Sequence, residues 1–181
     1  MDREISLSGP DITDVEIEAV AAVLRTPRLS LGPKLAEFER AMCARLGIRH
    51  AVGCNSGTSA LHLGWRALGL GAGDEVITTP FSFIASANSI LFDGARPVFV
   101  DIAPDTWQID ARRIEAAITP RTRAILPVDV FGSIPDMDAI LEIARRHELR
   151  VLEDSCEALG AKYKGRPAGT LGEVGAFGFY P

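Results

Sequence analysis

The chain is short of the residues that staple, anchor or charge a protein from outside. Its three cysteines, Cys43, Cys54 and Cys156, are odd in number and far apart. That spacing builds neither a disulfide framework nor a CxxC metal site, and it suits a reducing cytoplasm. No apolar run approaches the roughly 20 residues that a membrane-spanning helix needs. Met1-Asp2-Arg3-Glu4 leads into no apolar core of the signal-peptide kind. Basic residues number 19 against 24 acidic ones, for a net charge of −5. With no basic stripe, a nucleic-acid surface is not expected. His50, His62 and His147 share no ligand spacing, and there is no internal repeat or low-complexity tract.

What is present is apolar residue in quantity, 47% of 181 residues. The length fits one domain by a prior of roughly 100–200 residues each. Residues 1–47 read as an N-terminal helical segment and 48–181 as the main domain. Helical spacing marks Asp14–Arg25 and Lys34–Leu46, with Pro27 and Gly47 as stops. Strand-like runs then alternate with helix-like ones. The strands are Ala51–Cys54, Glu75–Thr78, Pro97–Val100, Ala124–Val128 and Val151–Glu153. The helices are Thr58–Leu68, Ser82–Phe92, Ala111–Ala117 and Asp136–His147. Gly160–Arg166 reads as a strand and turn, and Val174–Pro181 as one more strand. Such alternation predicts an α/β fold in three α/β/α layers around a mostly parallel sheet. Ligands of these sheets bind at the carboxyl ends of the strands.

Two features fall at that edge. Cys54-Asn55-Ser56-Gly57-Thr58 precedes a helix, so its backbone N–H groups and the helix dipole converge where a phosphate can sit. An ordinary N-cap at Ser56 or Thr58 explains the same residues. Val151-Leu152-Glu153-Asp154 ends a buried strand in a carboxylate, either an N-cap or a partner for a protonated ring nitrogen. Strand alternation sends Glu153 and Asp154 to opposite faces, so only one can serve. Phe83 follows the strand Glu75–Thr78 and is either a core residue or a face stacked on a flat cofactor. Gly69-Leu70-Gly71-Ala72-Gly73 mimics a dinucleotide fingerprint, but it follows a helix and precedes a strand, the reverse of the required order. Cys156 reads as a small buried apolar residue, and His62 as packed or solvated.

With these motifs in line, the chain resembles the DegT/DnrJ/EryC1/StrS family of sugar aminotransferases, which use pyridoxal phosphate (PLP). The resemblance rests on Leu31-Gly32-Pro33, Asn55–Leu63, Gly73–Thr78, Phe83–Asn88, Ala95–Asp101, Glu153–Ala161, Gly165-Arg166 and Gly169–Leu171-Gly172, in order and at matching spacing. It implies a fold-type-I PLP transferase large domain over 48–181, truncated on its C-terminal side. It implies phosphate contacts at Ser56, Gly57 and Thr58, stacking by Phe83, and Asp154 on the pyridine nitrogen. Glu157 stands where many members carry Gln or His near the ring hydroxyl. A carboxylate there resembles a subset acting on 4-keto-6-deoxy nucleotide sugars, such as perosamine synthases. Buried beside an oxyanion, it would be costly unless one group is protonated. Gly178 stands where many relatives place a phosphate-binding Ser. Phe177-Gly178-Phe179-Tyr180-Pro181 opens an F-x-F-Y-P-x-K pattern whose Schiff-base lysine would fall two positions beyond Pro181, so no catalytic residue is expected within the chain itself.

The implied activity is transfer of an amino group from glutamate to a keto sugar linked to a nucleotide, in a cytoplasmic homodimer with its active site between subunits. The chain alone would be the inactive N-terminal part of that enzyme. The alternatives are a PLP-dependent sugar dehydratase of the same family, with histidine in place of lysine, a catalytically inactive PLP-fold module, and a Rossmann dehydrogenase, which the misplaced glycines disfavour.

Overall fold

The computed structural model describes residues 9–179. It divides into two compact units, one ending at Gly53 and one running from Cys54 to Phe179. Tyr180 and Pro181, the end of the last expected strand, lie outside the described residues.

Among the described residues, the first unit holds two helices. Helix α1 spans Asp14–Leu24 and opens with a capping box: the Thr13 hydroxyl accepts the Val15 N–H, and the Glu16 carboxylate accepts the Thr13 N–H at 2.8 Å. Helix α2 spans Pro33–Leu46, starts on Pro33 and ends at Gly47 in the left-handed region. The expected strand at Ala51–Cys54 does not form: these residues lie outside every ladder. The Gly53 N–H is instead taken by Glu39 Oε1 at 2.9 Å, so a side chain occupies the donor that a neighbouring strand would have used.

The second unit alternates as expected. Helix α3 (Gly57–Leu68), β1 (Glu75–Thr78), α4 (Ile84–Leu91) and β2 (Arg96–Phe99) come first. Then come α5 (Ala111–Ile114), continued by a 3-10 turn, β3 (Thr122–Ile125), α6 (Met137–Arg146) and β4 (Arg150–Asp154). A short hairpin, β5 (Lys162–Tyr163) and β6 (Arg166–Pro167), precedes β7 (Val174–Ala176). The sheet order is β2-β1-β3-β4-β7, and every pairing is parallel.

Alternation along these strands feeds two cores. Val76, Ala124, Leu152 and Ala176 pack with Leu61 and Trp65 of α3 and Ile90 of α4. Ile77, Ile125 and Val151 pack on the other face with Ile114 of α5 and Met137, Ile140 and Ile143 of α6. This is the three-layer arrangement read from the sequence.

The structure shortens two strands. β3 stops at Ile125 because Pro127 has no N–H to donate, and Val128 makes only an isolated bridge to Asp154. β7 stops at Ala176, and an added Cβ at Gly175 would lie 2.1 Å from the Gly169 carbonyl oxygen. Glycine is therefore required where that loop crosses the strand.

Glu153 fastens this loop. Wholly buried, it accepts the N–H groups of Leu171 and Gly172 at 2.6 Å and of Gly169 at 3.1 Å. Glu153→Ala would strand those donors and is expected to cost about 2–4 kcal/mol. Urea denaturation would read this as a lower midpoint with an unchanged slope, and an unmoved midpoint would refute the clamp.

Candidate active site

Asp154 ends β4, is buried, and faces α3 and α4, while Glu153 faces the opposite side. Its Oδ2 accepts a hydrogen bond from Ser86 Oγ at 2.6 Å, in the first turn of α4. Its Oδ1 accepts the Cys156 N–H at 3.4 Å. The Ser82 and Ser86 hydroxyl oxygens lie 2.6 Å apart, so the loop before α4 is tied to the same carboxylate. Buried Ser89 donates to the Ser86 carbonyl and receives Trp65 Nε1–H, both at 3.0 Å, which anchors α4 on α3.

The start of α3 approaches the same place. Ser56 is its N-cap, accepting the Ser59 N–H at 3.1 Å. The capping explanation thus holds for the Ser56 side chain. Gly57 and Thr58 lie in the first turn, where a helix supplies no acceptor for its own N–H groups. A Cβ on Gly57 would lie 2.8 Å from Cys156 Sγ and 3.7 Å from Gly178 Cα. A Cβ on Gly178 would lie 3.2 Å from Cys156 Cβ. The α3 N-terminus, the turn after Asp154 and the segment after β7 therefore meet through residues with little or no side chain.

Phe83 is 73% exposed, in extended backbone just ahead of α4, so it is not a core phenylalanine. Glu157 is exposed, so its carboxylate does not carry the cost that burial would impose, and its Oε2 accepts the Phe131 N–H at 2.7 Å. Phe131 sits at φ 55°, a conformation that costs a non-glycine residue energy. The Cys156 thiol is pushed far above its ordinary pKa by burial, with the Asp154 carboxyl adding to it, which fits an inert packing residue. His62 Nε2 lies 3.0 Å from Asp93 Oδ2, with its ring edge-on to Phe92. The Gly69–Gly73 stretch is a helix stop before β1, with Gly69 as the left-handed cap of α3.

Sequence reasoning missed Ser82, Ser86 and Asp129. Serines at i and i+4 along an otherwise apolar helical run were the available signal for the first two. Asp129 follows the run that carries β3 and is fully buried. It accepts Ser155 Oγ at 2.6 Å, and its Oδ1 has no hydrogen-bond partner. Burial pushes its pKa up to about 7; the Ser155 hydrogen bond opposes this, and the Glu153 and Asp154 carboxyls add to it.

The mostly parallel sheet with helices on both faces is the fold of the type-I PLP-dependent aminotransferases, as solved structures of that class show. The DegT/DnrJ/EryC1/StrS aminotransferase family model matches residues 10–181, and the chain belongs to that family. GDP-perosamine synthase of Caulobacter vibrioides is 48% identical over 177 residues, 97% of this chain and 48% of that protein. Among solved structures, the PLP form of Spr1654 from Streptococcus pneumoniae superposes with a TM-score of 0.95 at 35% identity, covering 98% of this chain and 49% of that one. The aminotransferase PseC of Helicobacter pylori, involved in the biosynthesis of pseudoaminic acid, gives 0.93 at 34%, covering 98% and 48%. The chain spans about half the length of the curated relatives it matches.

Asp129 generates a pH prediction. Its folded pKa lies above the unfolded value, so between about pH 4 and 7 the folded state holds more of this proton than the unfolded state. Its contribution therefore falls as pH rises through that window, by up to about 1.4 kcal/mol per pH unit, and levels off above it. Asp129→Asn is expected to flatten thermal stability between pH 5 and 8, measured by circular dichroism melts at each pH. A variant whose melting temperature keeps the parent's pH dependence would contradict the assignment.

Proposed function

We propose that the chain is the N-terminal part of a PLP-dependent aminotransferase that moves an amino group from glutamate to a keto carbon on a nucleotide-linked sugar. The observation that carries this reading is the convergence of Gly57 and Asp154 on one edge of the sheet, joined through Cys156. The donor set fits PLP. First-turn N–H groups at Gly57 and Thr58 would receive the phosphate, and the helix dipole would add about 0.3–1 kcal/mol, up to about 2 where partly buried. Exposed Phe83 would cover one face of the ring. Asp154, facing α4, would meet the ring nitrogen. Glu157 would lie near the ring hydroxyl, and Gly178 would offer backbone only.

Bound PLP supplies an electron sink for the carbanion left when an α-proton is removed. The work of this chain is binding and orientation. Asp154 holds the proton on the ring nitrogen, the α3 N-terminus holds the anionic tail, and Phe83 shields the ring from water. The sequence has three lysines. Lys34 pairs with Glu37 at 2.6 Å, Lys164 pairs with Asp138, and Lys162 is exposed on the hairpin. None of them is the nucleophile in this reading, and the chain alone performs no amino transfer. The whole enzyme works as a cytoplasmic homodimer with its site completed between subunits. The 48% identity to GDP-perosamine synthase and the carboxylate at Glu157 favour a 4-keto-6-deoxy nucleotide sugar as substrate.

Calorimetric titration with PLP tests the reading. One site per chain is expected, weakened about tenfold to a hundredfold by Asp154→Asn. Gly57→Val would close the cradle against Cys156 and remove binding. Borohydride treatment of the chain with PLP should leave no stoichiometric adduct at Lys34, Lys162 or Lys164. Undiminished PLP binding in both variants would sink the assignment.

A further inference from the structure

The geometry points to Ser86, supported by Ser82, as the positioning residue that orients the Asp154 carboxylate and ties it to the loop presenting Phe83. This rests on the reading of Asp154 as the partner of a pyridine nitrogen.

The argument is one of protons. A carboxylate only accepts, so the 2.6 Å contact between Ser86 Oγ and Asp154 Oδ2 uses the single hydroxyl proton of Ser86. In the 2.6 Å contact between the two serines, Ser82 must then be the donor. The chain Ser82 to Ser86 to Asp154 runs one way and ends on the carboxylate. Hydrogen bonds to an ionised acceptor are short and about twice as strong as neutral ones.

The surroundings make this donor matter. Asp154 lies near the buried carboxyls of Asp129 and Glu153, whose fields reach each other. Neither α4 nor β7 carries a titratable side chain. His62 and Arg66 of α3 are both paired with Asp93. The hydrogen-bond donors given to Asp154 are the Ser86 hydroxyl and the Cys156 N–H. Ser86 is itself fixed: its N–H donates to the Phe83 carbonyl at 3.1 Å, and its carbonyl receives Ser89 Oγ. Ser82 immediately precedes Phe83. One short relay thus sets the carboxylate for the ring nitrogen and the register of the aromatic for the ring face.

Pyridoxamine 5′-phosphate is the probe, because its binding needs no lysine. Fluorescence titration gives its affinity, and absorbance reports whether the bound ring nitrogen is protonated. Inorganic phosphate is titrated in parallel. Ser86→Ala is expected to weaken pyridoxamine phosphate about tenfold, shift the bound spectrum toward the unprotonated ring, and leave phosphate affinity unchanged. Ser82→Ala is expected to weaken it about threefold with the same spectral direction. Wild-type affinity and spectrum in Ser86→Ala would overturn the inference, as would equal loss of both ligands, which marks a structural role. Should Ser86→Ala fail to fold, half-buried Ser82→Ala decides alone, and wild-type behaviour there overturns it. A parent that does not bind the probe at all removes the reading of the site itself. A parent that binds it, with loss in Asp154→Asn but not in the serine variants, removes only the role of the relay.

Discussion

Two adjacent carboxylates on β4 point to opposite faces of the sheet, and most of the site's architecture follows from that pair. Glu153 faces the α5/α6 side and grips the loop at Gly169–Gly172 by three backbone N–H groups. That loop delivers the chain to β7, which pairs with β4 up to Asp154 and Ala176. Beyond β7, Gly178 reaches Cys156, and Cys156 touches Gly57. Glu153 therefore fixes the segment that packs toward Gly57, where we propose that a phosphate binds. Asp154, one residue on, faces the α3/α4 side. A one-residue slip of β4 would exchange the two environments and destroy both.

Three acids crowd into this region with no ion pair to any of them among the described residues, although the Arg166 charge acts on Glu153, and each is accommodated differently. Glu153 is satisfied by backbone donors, although burial still raises its pKa. Asp154 receives a hydroxyl and one amide. Asp129 has one donor for two oxygens and resolves the shortfall by holding its proton to about pH 7. A cation placed here would attract all three, yet it would compete for Asp154 with the protonated ring nitrogen that we propose as its partner. Hydroxyls and amides stabilise the carboxylates without adding a rival positive charge.

The sheet and its two cores were legible because they depend on local periodicity. Val76 and Ile77, or Val151 and Leu152, declare opposite faces by alternation alone. The glycine at the start of α3 and the acid at the end of β4, on which the proposed site rests, were legible as positions because both are local patterns. What was hidden depends on partners far along the chain. Ala51–Gly53 has strand composition, but Glu39 takes a donor that a ladder would need. Ser86 looks like any polar helix residue until Asp154, 68 positions later, folds beside it. Asp129 looks like a loop acid until Ser155 and burial give it a raised pKa. Glu157 is exposed, with its carboxylate on the Phe131 amide 26 positions earlier, a partner that no local pattern announces.

The smallness of Gly57, Cys156 and Gly178 is the price of bringing three chain segments to one point. A serine hydroxyl at position 178 would add a side-chain donor, but a Cβ there already comes within 3.2 Å of Cys156. The anion site we propose therefore draws on α3's own backbone rather than on a side chain at 178. That reliance constrains α3 more than its sequence suggests. The Ser56 cap satisfies Ser59 and leaves the first-turn N–H groups aimed outward. The Trp65–Ser89 bond then holds α3 against α4, the helix that carries Ser86. The proposed phosphate cradle and the serine that holds Asp154 thus sit on one packed helix pair, so a shift in either helix would displace both.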